Sequence, residues 1–220
     1  MARMEQLLWL YSLPYDPNYP VVCFDERPCF LIGERVDAIA MQSGEVKKEH
    51  YSYEKFGSCA LLAAIEPLSG KRLAQVHARR TKREYTLFCK ALAAQYPEAI
   101  KIRFVQDNLN THNASSFYEH LPMAEAFALT QRFEFVYTPK SASWLNMIEI
   151  EFSALARACL HRRIPTMEEL EREVLALVTE RHEKRIKIDW QFSIEKARDK
   201  FSRHYAAINP SNQKPECSES

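Results

Sequence analysis

The chain has 220 residues, of which 46% are hydrophobic and 27% charged, a composition typical of one ordinary globular domain. Thirty Lys and Arg residues against twenty-nine Asp and Glu residues give a formal net charge of +1. This balance excludes a chain that is basic throughout and coats nucleic acid, and it excludes a highly charged disordered tail. Any electrostatic signal must therefore be local.

No segment predicts a membrane span or a signal peptide. The longest uninterrupted apolar run, Cys59–Ile65, is far short of the ~20 residues that cross a bilayer. The apolar cluster Leu7–Leu10 is preceded by Glu5 and followed by Pro14, where a signal peptide would carry small residues. Six cysteines without a Cys-x-x-Cys pair favour a reducing cytoplasm and no zinc site.

The first elements in chain order are a short helix and a buried strand. Residues 2–12 predict a helix, and three prolines then indicate a linker, at positions 14, 17 and 20. The continuous apolar run Val21–Phe24 predicts a strand that ends at Asp25, with Cys29–Ile32 returning beside it as a hairpin partner. The polar, aperiodic residues 34–56 predict a loop.

Two apolar strands and a capped helix come next. Ser58–Ile65 and Leu73–Ala78 predict strands joined by a turn at Pro67–Gly70, so that the chain begins with three antiparallel strands. Thr81 followed by Glu84 forms a capping box, which predicts the start of a helix that Pro97 ends.

The second half alternates strands and helices. Strands are expected at 102–106 and 133–137, and helices within 110–131 and over 144–161, 166–184 and 193–204. The pattern predicts one mixed α/β sheet, whose active crevice lies off the strand ends. The expected organisation is a short helix and linker over 1–19, a folded domain over 20–208 and a disordered tail over 209–220.

Acidic residues follow the two buried strands. Asp25 and Asp107 each come directly after an apolar run, and Glu149 and Glu151 lie near the start of a later helix. Gathered carboxylates repel each other unless a cation neutralises them, and such oxygen ligands suit Mg²⁺ or Mn²⁺. Two such metals can activate water and stabilise the leaving oxygen of a phosphodiester. Spacing alone leaves the alternative open, since an Asp after a strand often forms a turn, as Asp107–Asn108 could.

Positive charge is concentrated in residues 71–103. This segment holds nine basic residues and two acidic ones, a net +7. Such a cluster is typical of binding to a phosphate backbone, although a solvated helix face is the commoner cause of a charge run. The candidate DNA contacts are Lys71, Arg72, Arg79, Arg80, Lys82 and Arg83.

Three sequence blocks occur together in one order: Val-Cys-Phe-Asp25-Glu26, then Val105–His112, then Tyr137–Lys140 leading to Ser143–Glu149. In this arrangement the chain, from about Pro20 to Ile208, resembles the DDE-type insertion-sequence transposases, the bacterial relatives of the mariner-like elements. The resemblance implies an RNase H-like mixed sheet flanked by helices. It also implies a nucleoid-associated, cytoplasmic protein.

The resemblance further implies a catalytic site in which Asp25, Asp107 and Glu149 hold two Mg²⁺ ions, with Mn²⁺ able to substitute. Water would cleave the phosphodiester at the element's end, and the freed 3′-hydroxyl would attack target DNA. Periodicity cannot choose between Glu149 and Glu151, which flank the same apolar stripe. The motif favours Glu149 and leaves Glu151 as a surface or supporting residue.

Three further motif residues are expected to support the acids. Glu26 would orient the site, and Asn108 and His112 would position DNA or support the metals. For His112, a hydrogen-bonding role at a helix start is an equally good interpretation.

The short segment before the first predicted strand leaves more than one function open. Related transposases recognise element ends with helix-turn-helix modules, and only twenty residues precede Val21 here. We therefore expect that module on a separate chain or lost, with DNA and a second copy of the chain as partners. The alternative is a truncated, non-catalytic DNA-binding remnant that interferes with transposition. A phosphatase using Asp25 as nucleophile would want an Asp at position 27, where Arg27 stands.

Overall fold

The computed structural model describes residues 1–34, 53–109, 112–140 and 142–212. They form one five-stranded sheet in the order β3-β2-β1-β4-β5. Strand β1 pairs antiparallel with β2, which pairs antiparallel with β3, whereas β1, β4 and β5 run parallel. The strands are β1 Val21–Glu34, β2 Tyr53–Glu66, β3 Lys71–His77, β4 Ile102–Gln106 and β5 Phe133–Tyr137.

Eight α-helices are described, together with 3₁₀ turns at Ser143–Leu145 and Pro210–Asn212. None of these helices is long and apolar enough to span a membrane. The helices are α1 Ala2–Ser12, α2 Lys82–Ala94, α3 Ser115–His120, α4 Met123–Gln131, α5 Ile148–Ala158, α6 Met167–Glu183, α7 Ile194–Lys200 and α8 Ser202–Ile208.

Helices cover both faces of the sheet because successive side chains of a strand point to opposite faces. In β1, Val22 and Phe24 belong to the core cluster that includes α2 and α4. Cys23, between them, belongs to the other cluster, which includes α1, α5 and α6. The fully buried Leu7 shows that α1 is part of this second core.

Several predicted elements are confirmed. Helix α2 begins at the capping box of Thr81 and Glu84, and β4 and β5 have the predicted bounds. The turn before β3 contains Gly70 at φ 74°, in the left-handed region that favours glycine. Thr166 caps α6 by accepting a hydrogen bond from the backbone N–H of Glu169.

Other predictions gave the wrong strand lengths or a continuous helix where the structure has an interrupted one. Cys29–Ile32 is not a hairpin partner of Val21–Phe24, because both segments belong to the single strand β1. This strand pairs with β2 from Cys23 to Glu34. The predicted loop 34–56 overlaps β2 from Tyr53 onward, and its residues 35–52 lie outside the described residues. The helix predicted over 144–161 begins as a 3₁₀ turn, and the one over 193–204 is interrupted at Phe201. The predicted tail is described only to residue 212.

Candidate active site

The register of two parallel strands brings Asp25 and Asp107 together. The β1–β4 pairing reaches Cys23 opposite Val105, and each aspartate lies two residues beyond that pair. Because side chains alternate along a strand, Asp25 shares the face of Cys23, where α5 packs. Asp107 directly follows the last residue of β4 and lies close enough to Asp25 for the two charges to interact. The sequence predicted that Asp25 ends its strand, and this prediction was wrong. Asp25 lies inside β1, opposite Ala63 of β2, at the point where β4 stops.

The start of helix α5 is fixed against the same edge of the sheet. The buried side chain of Asn146 donates a hydrogen bond of 2.8 Å to the backbone oxygen of Phe24, the residue before Asp25. Ile148 and Phe152 are buried in the core below. Glu149, the second residue of α5, is half-buried and lies close enough to Asp25 for their charges to interact.

The three carboxylates interact electrostatically. The pKa of Asp25 is raised from 3.8 to about 7, mainly by burial. The negative charges of Asp107 and Glu149 contribute to this rise, whereas the hydrogen bond from the backbone N–H of Glu26 opposes it. The carboxylate oxygens of these acids suit a hard divalent cation, whose positive charge would reduce the repulsion between the carboxylates. Within the four described ranges, however, no three His, Cys, Asp or Glu side chains are already placed around one point that could hold an ion.

His112 connects two of the predicted acids. Its Nδ1 lies 2.5 Å from Oδ1 of Asp107, and its Nε2 lies 3.1 Å from Oε1 of Glu26. The second pair is not aligned for a hydrogen bond, so both atoms are buried without a hydrogen-bond partner among the described residues. Burial lowers the pKa of His112, but the contacts with Asp107 and Glu26 outweigh it and raise the pKa to about 9.

The surroundings of His112 favour a supporting role over contact with DNA. Its side chain is fully buried, with the ring stacked 5.0 Å from Tyr85 and edge-on to Phe24. Its carbonyl accepts a hydrogen bond of 2.7 Å from the side chain of Gln106, the last residue of β4. Helix α3 begins three residues later, so His112 does not cap it. Asn108, in contrast, is exposed beside Asp107.

A family model for the DDE superfamily endonucleases matches residues 20–171. The chain belongs to this family. None of the curated proteins is significantly similar in sequence to it.

Solved structures of the Mos1 mariner transposase resemble this chain. The Mos1 paired end complex with Mn has a TM-score of 0.58 and 15% identity, over 97% of this chain and 61% of that one. The Mos1 strand transfer complex has a TM-score of 0.56 and 14% identity, over 98% of this chain and 61% of that one. At this identity the likeness establishes the RNase H-like fold. This chain spans about three fifths of the length of the Mos1 chains.

Arg72 does not lie on the surface of the chain, so its assignment as a DNA contact was wrong. Its side chain is 1% exposed and donates five hydrogen bonds, two to the carboxylate of Glu151 and three to the backbone oxygens of Gly70, Arg181 and Ile186. The guanidinium of Arg181 binds the same carboxylate at 2.8 and 3.0 Å.

Glu151 is consequently not a surface residue. It is 2% exposed and joins β3, α5 and α6 through the two arginines. We call Arg72, Glu151 and Arg181 the buried clamp. Burial alone would raise the pKa of Glu151, but hydrogen bonds from Arg181 and Arg72 lower it below its usual value. No local signal in the sequence could reveal this clamp, because its members are far apart along the chain.

The remaining basic residues differ in exposure. Arg79, Arg80 and Arg83 are exposed around the connection from β3 to α2. Lys71 lies with its ammonium 4.7 Å from the centre of the Tyr96 ring, and Lys82 forms an ion pair of 2.5 Å with Glu119. Of the six candidate DNA contacts, Arg79, Arg80 and Arg83 are therefore the exposed ones.

Proposed function

We propose that this chain is the catalytic domain of a transposase that cleaves DNA and transfers the cut strand in a metal-dependent reaction. The observation that supports the proposal is the register of β1 and β4, in which Asp25 and Asp107 each follow the last paired residues by two positions, together with the action of the Asp107 and Glu149 charges on Asp25. Membership of the DDE endonuclease family supports it.

Asp25, Asp107 and Glu149 would hold two Mg²⁺ ions, or Mn²⁺ in their place. Bound there, the metals would activate a water molecule and stabilise the leaving oxygen of a phosphodiester. The chain's own contribution is to hold the carboxylates in place: Asn146 fixes the start of α5 on β1, and His112 fixes Asp107. Asn108, exposed at the rim, would position the DNA strand, and Glu26 would orient His112.

The partners would be the ends of a mobile element and its target DNA, in the nucleoid of the cytoplasm. The Mos1 neighbours are a paired end complex, a pre-cleavage transpososome and a strand transfer complex. For this chain we infer assembly as a dimer on DNA, with the ends recognised by a helix-turn-helix module outside residues 20–208. The exposed Arg79, Arg80 and Arg83 would add contacts to the backbone.

The test is nicking of a supercoiled plasmid by the purified chain, with Mg²⁺ or with EDTA. Wild type should nick only with the metal, and Asp25→Asn or Asp107→Asn should abolish nicking, because each removes a charged metal ligand. Asp199→Asn, at an exposed position of α7, is the matched control and should nick like wild type. Nicking by either ligand variant at the wild-type rate would refute the site.

A non-catalytic DNA-binding domain is the second candidate. It is favoured by the finding that, in the part of the chain that the structure describes, three ligands are not yet gathered around one point. This candidate predicts DNA binding by wild type without nicking in either Mg²⁺ or Mn²⁺.

A further inference from the structure

A cavity of about 430 Å³ opens beside Asp107, within the ~300–1,000 Å³ typical of ligand sites. Two cationic side chains line it, Arg3 of α1 and Lys140, which follows β5. Asn108 and Ser143 add polar groups to the wall. Asp107, the one carboxylate among the described lining residues, is itself bound to His112. The cavity therefore suits an anion.

Arg3 is held at this cavity by a helix packed firmly into the core. Met4, Leu7 and Leu8 are buried, which fixes the rotation of α1 about its axis. The hydroxyl of Tyr11, at the other end of α1, donates a hydrogen bond of 2.9 Å to the backbone oxygen of Leu145. The backbone of Arg3 is thus fixed in position, while its side chain is exposed.

The opposite flank of α1 is anchored as well. Glu5 accepts hydrogen bonds of 2.8 and 3.0 Å from Arg198 of α7, and one of 2.6 Å from the hydroxyl of Tyr205. Residues 3 and 5 lie about 200° apart around a helix, so pairing of Glu5 with α7 and α8 leaves Arg3 on the side of the active site.

Lys140 is placed by the end of β4. The backbone N–H of Thr138 donates a hydrogen bond of 2.9 Å to the oxygen of Gln106, the residue before Asp107. The segment that carries Lys140 therefore leaves β5 alongside Asp107 and Asn108, and both cations reach the same cavity as the acid.

We infer that this cavity binds the phosphodiester backbone of the DNA strand presented to Asp107, with Arg3 and Lys140 as the phosphate contacts. Asn108 and Ser143 supply hydrogen bonds to phosphate or sugar oxygens. The inference rests on the proposed function and adds the residues that seat the substrate. Since phosphate contacts carry no sequence information, the cavity holds the strand whatever its sequence.

The test measures binding of a short fluorescein-labelled DNA duplex of arbitrary sequence by fluorescence anisotropy, in EDTA and over a range of salt concentrations. Arg3→Gln and Lys140→Gln should each weaken binding about fivefold and lower the slope of log affinity against log salt by about one. Arg203→Gln removes the same charge from an exposed position of α8 outside the cavity and should change neither quantity. Melting temperatures check that all three variants fold.

The outcomes separate this inference from the proposed function. If Arg3→Gln and Lys140→Gln bind like Arg203→Gln, with the same salt slope, the cavity does not seat the backbone, even where wild type nicks plasmid with Mg²⁺. If wild type never nicks but the two variants show the expected losses in EDTA, the inference holds and the catalytic proposal fails.

Discussion

Replacing Glu151 by Gln tests the buried clamp directly. The substitution keeps the size of the side chain but removes the negative charge that faces two guanidinium groups. Arg72 is 1% exposed, so its charge would stay in the interior without a counter-ion. Breaking a buried pair from one side costs about 3–5 kcal/mol, and we expect the lower end, because Gln can still accept a hydrogen bond.

A loss of about 3 kcal/mol should lower the melting temperature by about 6–12 °C for a chain of this size. Thermal unfolding followed by circular dichroism, together with urea unfolding, measures it at neutral pH. Because the pKa of Glu151 is lowered in the folded state, its contribution is complete above its usual value of 4.5. The difference between wild type and variant should shrink as the pH falls below that value.

Glu149→Gln is the matched control, since Glu149 lies on the same helix but takes no part in the clamp. It should leave the melting temperature within about 2 °C of wild type. A melting temperature for Glu151→Gln that is also within about 2 °C of wild type would refute the energetic role of the clamp.

Three further predictions concern the acids and the basic surface. Glu149→Gln should eliminate metal-dependent nicking, which a plasmid assay measures; loss of nicking only in Glu151→Gln, with its fold intact, would reverse the assignment. Folding raises the pKa of Asp25 from 3.8 to about 7, so ionising it should cost metal-free protein up to about 4 kcal/mol. In EDTA, wild type should therefore lose stability relative to Asp25→Asn as the pH rises from about 4 through 7, and parallel melting curves across that range would contradict the raised pKa. DNA binding by the chain alone should be weak, nearly independent of sequence and steeply dependent on salt. Arg79→Gln, Arg80→Gln or Arg83→Gln should each lower the slope of log affinity against log salt by about one. A strong preference for one duplex at moderate salt would contradict the prediction of binding that is independent of sequence.

Elements with strong local signals could be predicted from the sequence alone. The capping box of Thr81 and Glu84 sets the start of α2, and the apolar runs of β4 and β5 set their bounds. These signals are local because a cap, a turn or a short buried strand depends on residues only a few positions apart. The order of the motif blocks likewise indicates the family without any knowledge of the fold.

Only the tertiary structure decided which elements and charges meet. The polar residues Glu26 and Arg27 suggest a break after Asp25, yet β2 pairs with β1 across them and keeps it one strand. The local run of positive charge predicts that Arg72 lies on the surface. It is buried because Glu151, on a different element, neutralises it. The rotation of α5 separates its two acids, because positions two apart lie about 200° apart around a helix. Packing of that helix on the sheet sends Glu149 toward Asp25 and Glu151 toward Arg72 and Arg181, which no pattern along the chain determines.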